Sequence, residues 1–422
     1  MTIMKQKDGK VNTMKNKKFL DSPFAVILCN LILFFLVYFV VMSDYVVSLA
    51  IMAVVILAIL LVNRFNLVNK IFDLYIRHKK IALVSGLILG IIYPFSLADN
   101  VYVAHIATLA VIYGIACLGL NFQMGSTDMT NFAPAAFMGI GAYSVAIASV
   151  RMGLSPWVGM VGGLVLSGVF GFLIGLPTLK TKGYYLSLVT MAIQLAFTEL
   201  VRIWPYVGGD DGLSGVQRYK LFGFELYKRY TIFGIRMSPQ IPYLLLCIVF
   251  LVLCTYIAMR VYFSRTGIAM NTVAQDEIAA DCLGINVSRT KLFAFVIGGI
   301  YCGLAGTLFA GLEGYAGPAT YNFQKSLMLI CMVILGGMDN SIGVVLGAFI
   351  LAIITEKLRD FADFQQLIYG AILVVMLIVR PDGIIPWRVR NHDLITKRKP
   401  KIIEKLGEST DIAAKAELKS EV

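Results

Sequence analysis

The sequence predicts an all-α fold: a polytopic membrane bundle of about twelve apolar helices, some of them broken. Three observations predict it. Of 422 residues, 58% are hydrophobic and only 15% charged, a balance unusual for a soluble domain. Several apolar runs reach the roughly 20 residues that a helix needs to cross a bilayer. These runs do not alternate, as the strands of a membrane β-barrel would.

The elements follow in order. Residues 1–22 are a basic lead carrying Lys5, Lys7, Lys10, Lys15, Lys17 and Lys18, expected to stay cytoplasmic. Residues 23–80 hold two apolar runs, Pro23–Met42 and Tyr45–Val62, and read as an N-terminal two-helix addition. The first run is longer than a secretory signal needs, and the second follows at once, so the reading is an uncleaved span. The main transmembrane domain covers 81–387. It opens with Ile81–Leu97 and Val101–Leu120, the second containing His105, which is expected to bond a neighbouring helix.

The polar stretch Asn121–Asn131 and the apolar run Phe132–Val150 follow. Polar backbone at membrane depth must be buried or line a cavity. The stretch therefore fits a broken or re-entrant helix beside a transport path, with Asn121, Gln123 and Thr127 as path candidates, and equally a plain cytoplasmic turn. Pro156–Leu176 carries Gly159, Gly163, Ser167, Gly171 and Gly175 at four-residue steps, a stripe for close helix contact. Gly183–Ile203 has Glu199 and Arg202 three apart, able to share a face in a structural pair near the surface. The loop 204–238 is rich in turn residues, including Gly208-Gly209-Asp210-Asp211-Gly212. Span parity puts it outside.

Pro239–Arg260 returns to the cytoplasmic loop 264–291, the longest polar interruption in the C-terminal half. Met270, Ala274, Ile278 and Cys282 recur every four residues, which predicts one helix of about three turns with these on a shared face. Gly267 and Gly284 bracket it as helix ends. The pattern fits a docking helix and an ordinary solvated loop alike. Leu292–Leu312 bears two small-residue ladders: Gly299, Gly303, Thr307, Gly311 and Gly298, Cys302, Gly306, Ala310. It should be packed tightly on two sides. Ser326–Ile354 is too long for one span and is expected to break at Gly336–Asn340. Two helices there bring the total to twelve, which leaves the basic tail 388–422 in the cytoplasm with the N-terminus. Leu367–Val379 is the last crossing.

Composition also excludes functions. The net charge is +12, but the basic residues cluster at the termini and beside spans. They fit anionic lipid and topology, not nucleic acid. Of seven cysteines six lie in apolar runs and none forms a CxxC; with three histidines, no metal site is expected. The sequence contains no GxxxxGK[ST] phosphate loop, no HExxH and no GxSxG. No enzymatic activity is expected, and no cofactor on this chain. A transporter without its own energy source couples to a separate motor or to an ion gradient. The competing reading is thus an ion-coupled secondary transporter that needs no ATPase, with weak candidate sites at 336–340 and 121–131.

Asp276-Glu277-Ile278-Ala279-Ala280-Asp281-Cys282-Leu283-Gly284-Ile285-Asn286 resembles the coupling loop of ABC-importer permeases, of the branched-chain amino acid (LivM-type) family. Two alanines, three residues and a glycine form that motif: Ala279, Ala280 and Gly284. Ile278 stands where the broader motif often has Glu. Lys182–Gly215 and the Gly336–Gly347 break carry the resemblance further, over roughly residues 100–387. It implies a permease subunit in the bacterial plasma membrane that translocates branched-chain amino acids, or similar small polar solutes such as urea or short amides. It implies a second, related permease, ABC ATPase subunits that bind the ATP, and an extracytoplasmic substrate-binding protein at the outer loop. It assigns ATPase coupling to Asp276, Glu277, Ala279, Ala280 and Gly284, the acids pairing with basic groups of the partner and a Thr272–Leu283 helix moving as a rigid lever. Asn121–Tyr143 departs from the family, which often shows a Ser-Leu-Gly pattern there.

Overall fold

The computed structural model describes residues 100–178, 184–221 and 238–357, three short pieces between 224 and 236, and scattered positions at 28–39 and 367–384. The N-terminal lead, the 23–80 addition, the 81–97 span, most of the last crossing and the tail lie outside the described residues, so the expected count of twelve concerns them as well. Ten α-helices are described. They are α1 Val101–Met124, α2 Pro134–Ala146, α3 Pro156–Thr178, α4 Tyr184–Ile203, α5 Ile241–Tyr262, α6 Arg265–Gln275, α7 Glu277–Cys282, α8 Val287–Glu313, α9 Phe323–Gly336 and α10 Ser341–Lys357. Five of them, α1, α3, α4, α5 and α8, are long and apolar enough to cross a membrane.

The core is built on α8, which packs against α1, α2 and α3. Its two ladders face different neighbours. A Cβ on Gly298 would stand 2.8 Å from the Gly119 carbonyl of α1, and Cys302 Sγ reaches the Ala116 carbonyl at 3.5 Å. On the other side, a Cβ on Gly299 would meet the Phe137 ring at 2.8 Å and the Ser167 carbonyl at 3.0 Å. Gly306 abuts the Met138 carbonyl of α2. The α3 stripe answers these contacts: Gly159 lies against Val145, Gly163 against Thr307 and Gly171 against the Phe295 carbonyl. The opposite face of α3 presents Val161, Val165, Val169 and Phe172 outward. That face suits hydrocarbon, which leaves close backbone packing to hold the helices together.

Several elements differ from the expectation. Helix α1 runs through Asn121 and Gln123 to Met124, so only 125–133 is irregular. The fragment after it is shorter than the apolar run: α2 ends at Ala146, and Ile147–Arg151 closes it with a π turn. Outside the helices are three antiparallel pairs of two-residue strands, all unanticipated: β1 Leu213–Ser214, β2 Lys220–Leu221, β3 Phe224–Glu225, β4 Thr231–Ile232, β5 Ile235–Arg236 and β6 Tyr315–Ala316. They pair as β1–β6, β2–β3 and β4–β5. The first pair ties the 204–238 loop to the end of α8. Tyr219 and Tyr243 add hydrogen bonds to the Thr307 and Leu308 carbonyls at 3.2 and 2.6 Å.

The break at 336–340 is present. Gly337 has φ +106 and Asp339 φ +60, and α9 and α10 pack so closely that a Cβ on Gly347 would stand 2.6 Å from Gly336. Arg202 bonds Glu199 at 2.7 Å and also Asp210 at 3.0 Å, all exposed. This is the surface pair the spacing suggests. His105 lies 3.5 Å from Glu313 at the end of α8.

Gly306→Ala is expected to destabilise the protein by about 1–3 kcal/mol, because the added methyl forces α2 away from α8. Gly114→Ala, whose Cβ has its nearest neighbour at 3.4 Å, is expected to stay within about 0.5 kcal/mol of the parent. Thermal unfolding of both variants in the same detergent checks the contrast.

Candidate functional site

The loop 264–291 forms two helices and a connection, all fixed by local capping. Ser264 caps α6, its hydroxyl accepting from the Gly267 amide at 3.4 Å. The expected single helix breaks at Asp276, whose backbone is extended at φ −159 and ψ 114. The cause is the side chain itself. Asp276 Oδ1 accepts from the amides of Ile278 at 2.8 Å and Ala279 at 3.1 Å, and so serves as the N-cap of a new helix. The four-residue repeat therefore does not share one face: Met270 is buried, whereas Ile278 and Cys282 are exposed. The rigid Thr272–Leu283 lever is corrected to two helices with a corner between them. Gly267 is not a helix end either. It sits in the first turn of α6, pressed against the Val261 and Tyr262 carbonyls.

Gly284 does end a helix. The Gly284 amide bonds the Asp281 carbonyl at 2.9 Å, and the Ile285 amide bonds the Ala280 carbonyl at 3.0 Å. This is the paired closure of a Schellman motif, which places its glycine in the left-handed region. Gly284 has φ +77, with open space where a Cβ would lie. Backbone conformation, not crowding, selects glycine here. Two residues later Asn286 caps α8 through the Arg289 amide at 2.9 Å. Residues 281 and 284–288 line a shallow depression on this corner.

The five coupling candidates thus have distinct positions. Asp276 is a cap and Gly284 a helix stop. Glu277 pairs within the chain: its Oε1 lies 2.5 Å from Nζ of Lys291 in the first turns of α8, and Lys291 is only 7% exposed at its side chain. Ala280 is fully buried, whereas Ala279 is exposed. Sequence reasoning did not assign the two side chains that stand out most, Ile278 at 72% and Leu283 at 74% exposure. Large apolar residues inside a short polar segment were the available signal. Lys291 was missed as well, since its partner is fourteen residues away.

Asn121, Gln123 and Thr127 come together at the far end of α1. All three are buried, and all three bond within the chain. Asn121 donates to the Tyr262 hydroxyl and accepts from the Asp339 amide at 2.8 Å. Gln123 donates to the Phe295 carbonyl at 3.2 Å and accepts from Asn131 at 2.6 Å. Thr127 donates back to the Gln123 carbonyl at 2.8 Å. The irregular segment is held further by Gln194 and Ser326. Gln194 Oε1 accepts from the Ala136 amide at 2.7 Å, and the Ser326 hydroxyl accepts from the Ala135 amide at 3.1 Å. Thr190 takes the Phe132 amide at 3.0 Å. The turn between α9 and α10 joins in through Ser126 and Asp339 at 2.7 Å.

A broken helix stitched by polar side chains thus lies beside a capped, exposed corner. Residues 102–379 match the family model described as branched-chain amino acid transport system / permease component. The chain belongs to this family. It is 33% identical to the high-affinity branched-chain amino acid transport system permease protein LivM of Escherichia coli K12, over 73% of this chain and 75% of that protein. The Escherichia coli K12 permease protein LivH is 24% identical over 66% of the chain and 92% of its own length. The fructose import permease protein FrcC of Rhizobium meliloti is 24% identical over 56% of the chain and 64% of its length. No solved structure matches. The family match covers all ten described helices apart from the first residue of α1.

In this permease component, Asp276→Ala is expected to cost the start of α7 about 1 kcal/mol. Gly284→Ala is expected to cost about 1–2 kcal/mol at its end, through the left-handed backbone. Hydrogen exchange of the Ile278, Ala279 and Ile285 amides should accelerate accordingly, with the α8 amides beyond residue 295 unchanged.

Proposed function

We propose that the chain is one permease subunit of an ABC importer that carries branched-chain amino acids into a bacterial cell. The names of its LivM and LivH relatives, both branched-chain amino acid permease proteins, support the substrate class. The observation that carries the coupling assignment is the corner of α6 and α7. It presents Ile278, Ala279 and Leu283 on a short helix whose two ends are both fixed, at the end of the bundle where α8 begins. On this reading that end is cytoplasmic, both termini lie on the same side, and the 204–238 loop faces outward toward a substrate-binding protein. A second, related permease completes the pathway. ATP binds to two ATPase subunits and not to this chain.

The proposed stroke follows from the local geometry. Closing of the ATPase pair displaces α7. Its movement reaches α8 through the four-residue connection 283–286 and the Glu277–Lys291 ion pair. Because α8 is clasped by α1, α2 and α3, its displacement shifts the bundle as packed units. Asn121, Gln123 and Thr127 then act as a latch. They meet solute in a conformation in which their bonds to Tyr262, Phe295 and Asp339 have opened. Direction comes from the different affinity of the two states for the loaded binding protein and for ATP.

The test is uptake by proteoliposomes holding the permease pair, the ATPases and the binding protein. Leucine, isoleucine and valine should enter only with ATP inside. Uptake that needs no ATPase and collapses with an ion gradient would overturn the assignment, and exclusive uptake of urea or short amides would overturn the substrate class. Ile278→Lys places a cation in the docking contact, where the broader motif carries an acid or this chain an apolar side chain, and is expected to lower leucine uptake about tenfold or more. The same loss should appear in recovery of the ATPase with the tagged chain.

A further inference from the structure

One charged side chain of the bundle takes no part in the coupling corner or the latch. Lys325 lies in the first turn of α9, half-buried, directly after the loop that returns from α8. Its ammonium donates to the Tyr113 hydroxyl and stands over two rings, 4.4 Å from the centroid of Tyr113 and 5.0 Å from that of Phe309. Among the described residues it forms no ion pair; Glu313, the nearest acid of α8, is engaged with His105 at 3.5 Å. Three circumstances disfavour a lysine here. An intramembrane cation is costly, the first turn of a helix repels positive charge, and a charge with no ion-pair partner is only partly compensated by two rings and the more distant carboxylates of Glu313 and Glu356.

The same aromatic row contains two further unsatisfied groups. Phe309 continues to Tyr321 at 6.1 Å between centroids, and Tyr321 to Tyr143 at 6.3 Å. Tyr321 is fully buried and Tyr143 only 5% exposed. Neither hydroxyl has a hydrogen-bond partner among the described residues. Buried phenols normally find one. One ammonium with spare N–H donors and two O–H donors without acceptors among the described residues therefore lie along one row of packed side chains, from α1, α2, α8, the 318–321 turn and α9.

We propose that Lys325, Tyr321 and Tyr143 form a station for the carboxylate of the transported α-amino acid, with the Tyr113 and Phe309 rings offering surface to its apolar side chain. A carboxylate accepts from all three donors and neutralises the cation, and charge-assisted hydrogen bonds of this kind are the strong ones. The inference rests on the importer reading above and adds where the solute is held. The station lies at the end of the bundle that reading makes the outer one, between the 204–238 loop and the latch.

The experiment uses the complete importer in proteoliposomes with wild type measured alongside. Absence of any leucine uptake by the wild type counts against the importer reading alone. With wild-type uptake established, Lys325→Met is expected to lower leucine uptake about tenfold, the value of one charged hydrogen bond. Complex yield, unfolding temperature and ATP hydrolysis stimulated by loaded binding protein should stay near wild type. Lys325→Arg should restore most of the uptake, since it keeps charge and donors. Tyr321→Phe removes a single oxygen that has no partner among the described residues and should lower uptake about threefold to tenfold without loss of stability. Wild-type uptake by Lys325→Met overturns the station. So does a Lys325→Met complex that fails to assemble while Tyr321→Phe and Tyr143→Phe both transport at the wild-type rate.

Discussion

Hydrocarbon offers helices no apolar reward for touching one another, so a membrane bundle needs backbones that approach closely enough for dispersion contacts to accumulate. In this protein α8 meets that need on two sides. Gly298, Cys302 and Gly306 admit α1 and α2, while Gly299 and Gly303 admit α3 and the carbonyls of its own glycine stripe. Most other elements are located by reference to this helix. The coupling corner sits at its start, and the β1–β6 strand pair at its end.

Close packing at glycine makes a second arrangement possible that water-soluble cores rarely use. The chain between α1 and α2 abandons helical bonding for nine residues beside that packed centre. Its amides at Phe132 and Ala133 are taken by Thr190 and Asn131, and the first-turn amides of α2, Ala135 and Ala136, by Ser326 and Gln194. No bulk solvent is at hand to take them, so each of these side chains is required by the backbone. Such a segment can exchange one set of partners for another more readily than a continuous helix can change its ladder. This gives the break a natural place in a switching bundle.

The coupling corner follows different physics. Capping and chain reversal, rather than burial, define it. An aspartate starts α7, a left-handed glycine stops it, and an asparagine starts α8 two residues later. The motif that the family resemblance singles out is in large part the recipe for holding a six-residue helix at a fixed angle. The exposed residues among these fixed points are Ile278, Ala279 and Leu283.

The sequence by itself determined the class of the protein, the glycine ladders, the split of α9 from α10 and the glycine stop at Gly284. Each of these is written in short-range patterns: apolar run length, four-residue spacing, and glycine beside polar turns. Only the tertiary structure decided what the polar residues do. Gln123 finds Asn131, the Phe295 carbonyl lies 172 positions on, and Glu277 turns to Lys291 instead of outward. Lys325 reads as part of an ordinary loop-to-span boundary in sequence, and becomes a buried cation only when α1 and α8 bring Tyr113 and Phe309 over it. Periodicity reports which face of a helix is apolar, but a hydrogen bond depends on which distant helix that face meets. The single coupling helix was misjudged for the same kind of reason in miniature: a four-residue repeat cannot reveal that Asp276 gains more by capping a new helix than by continuing the old one.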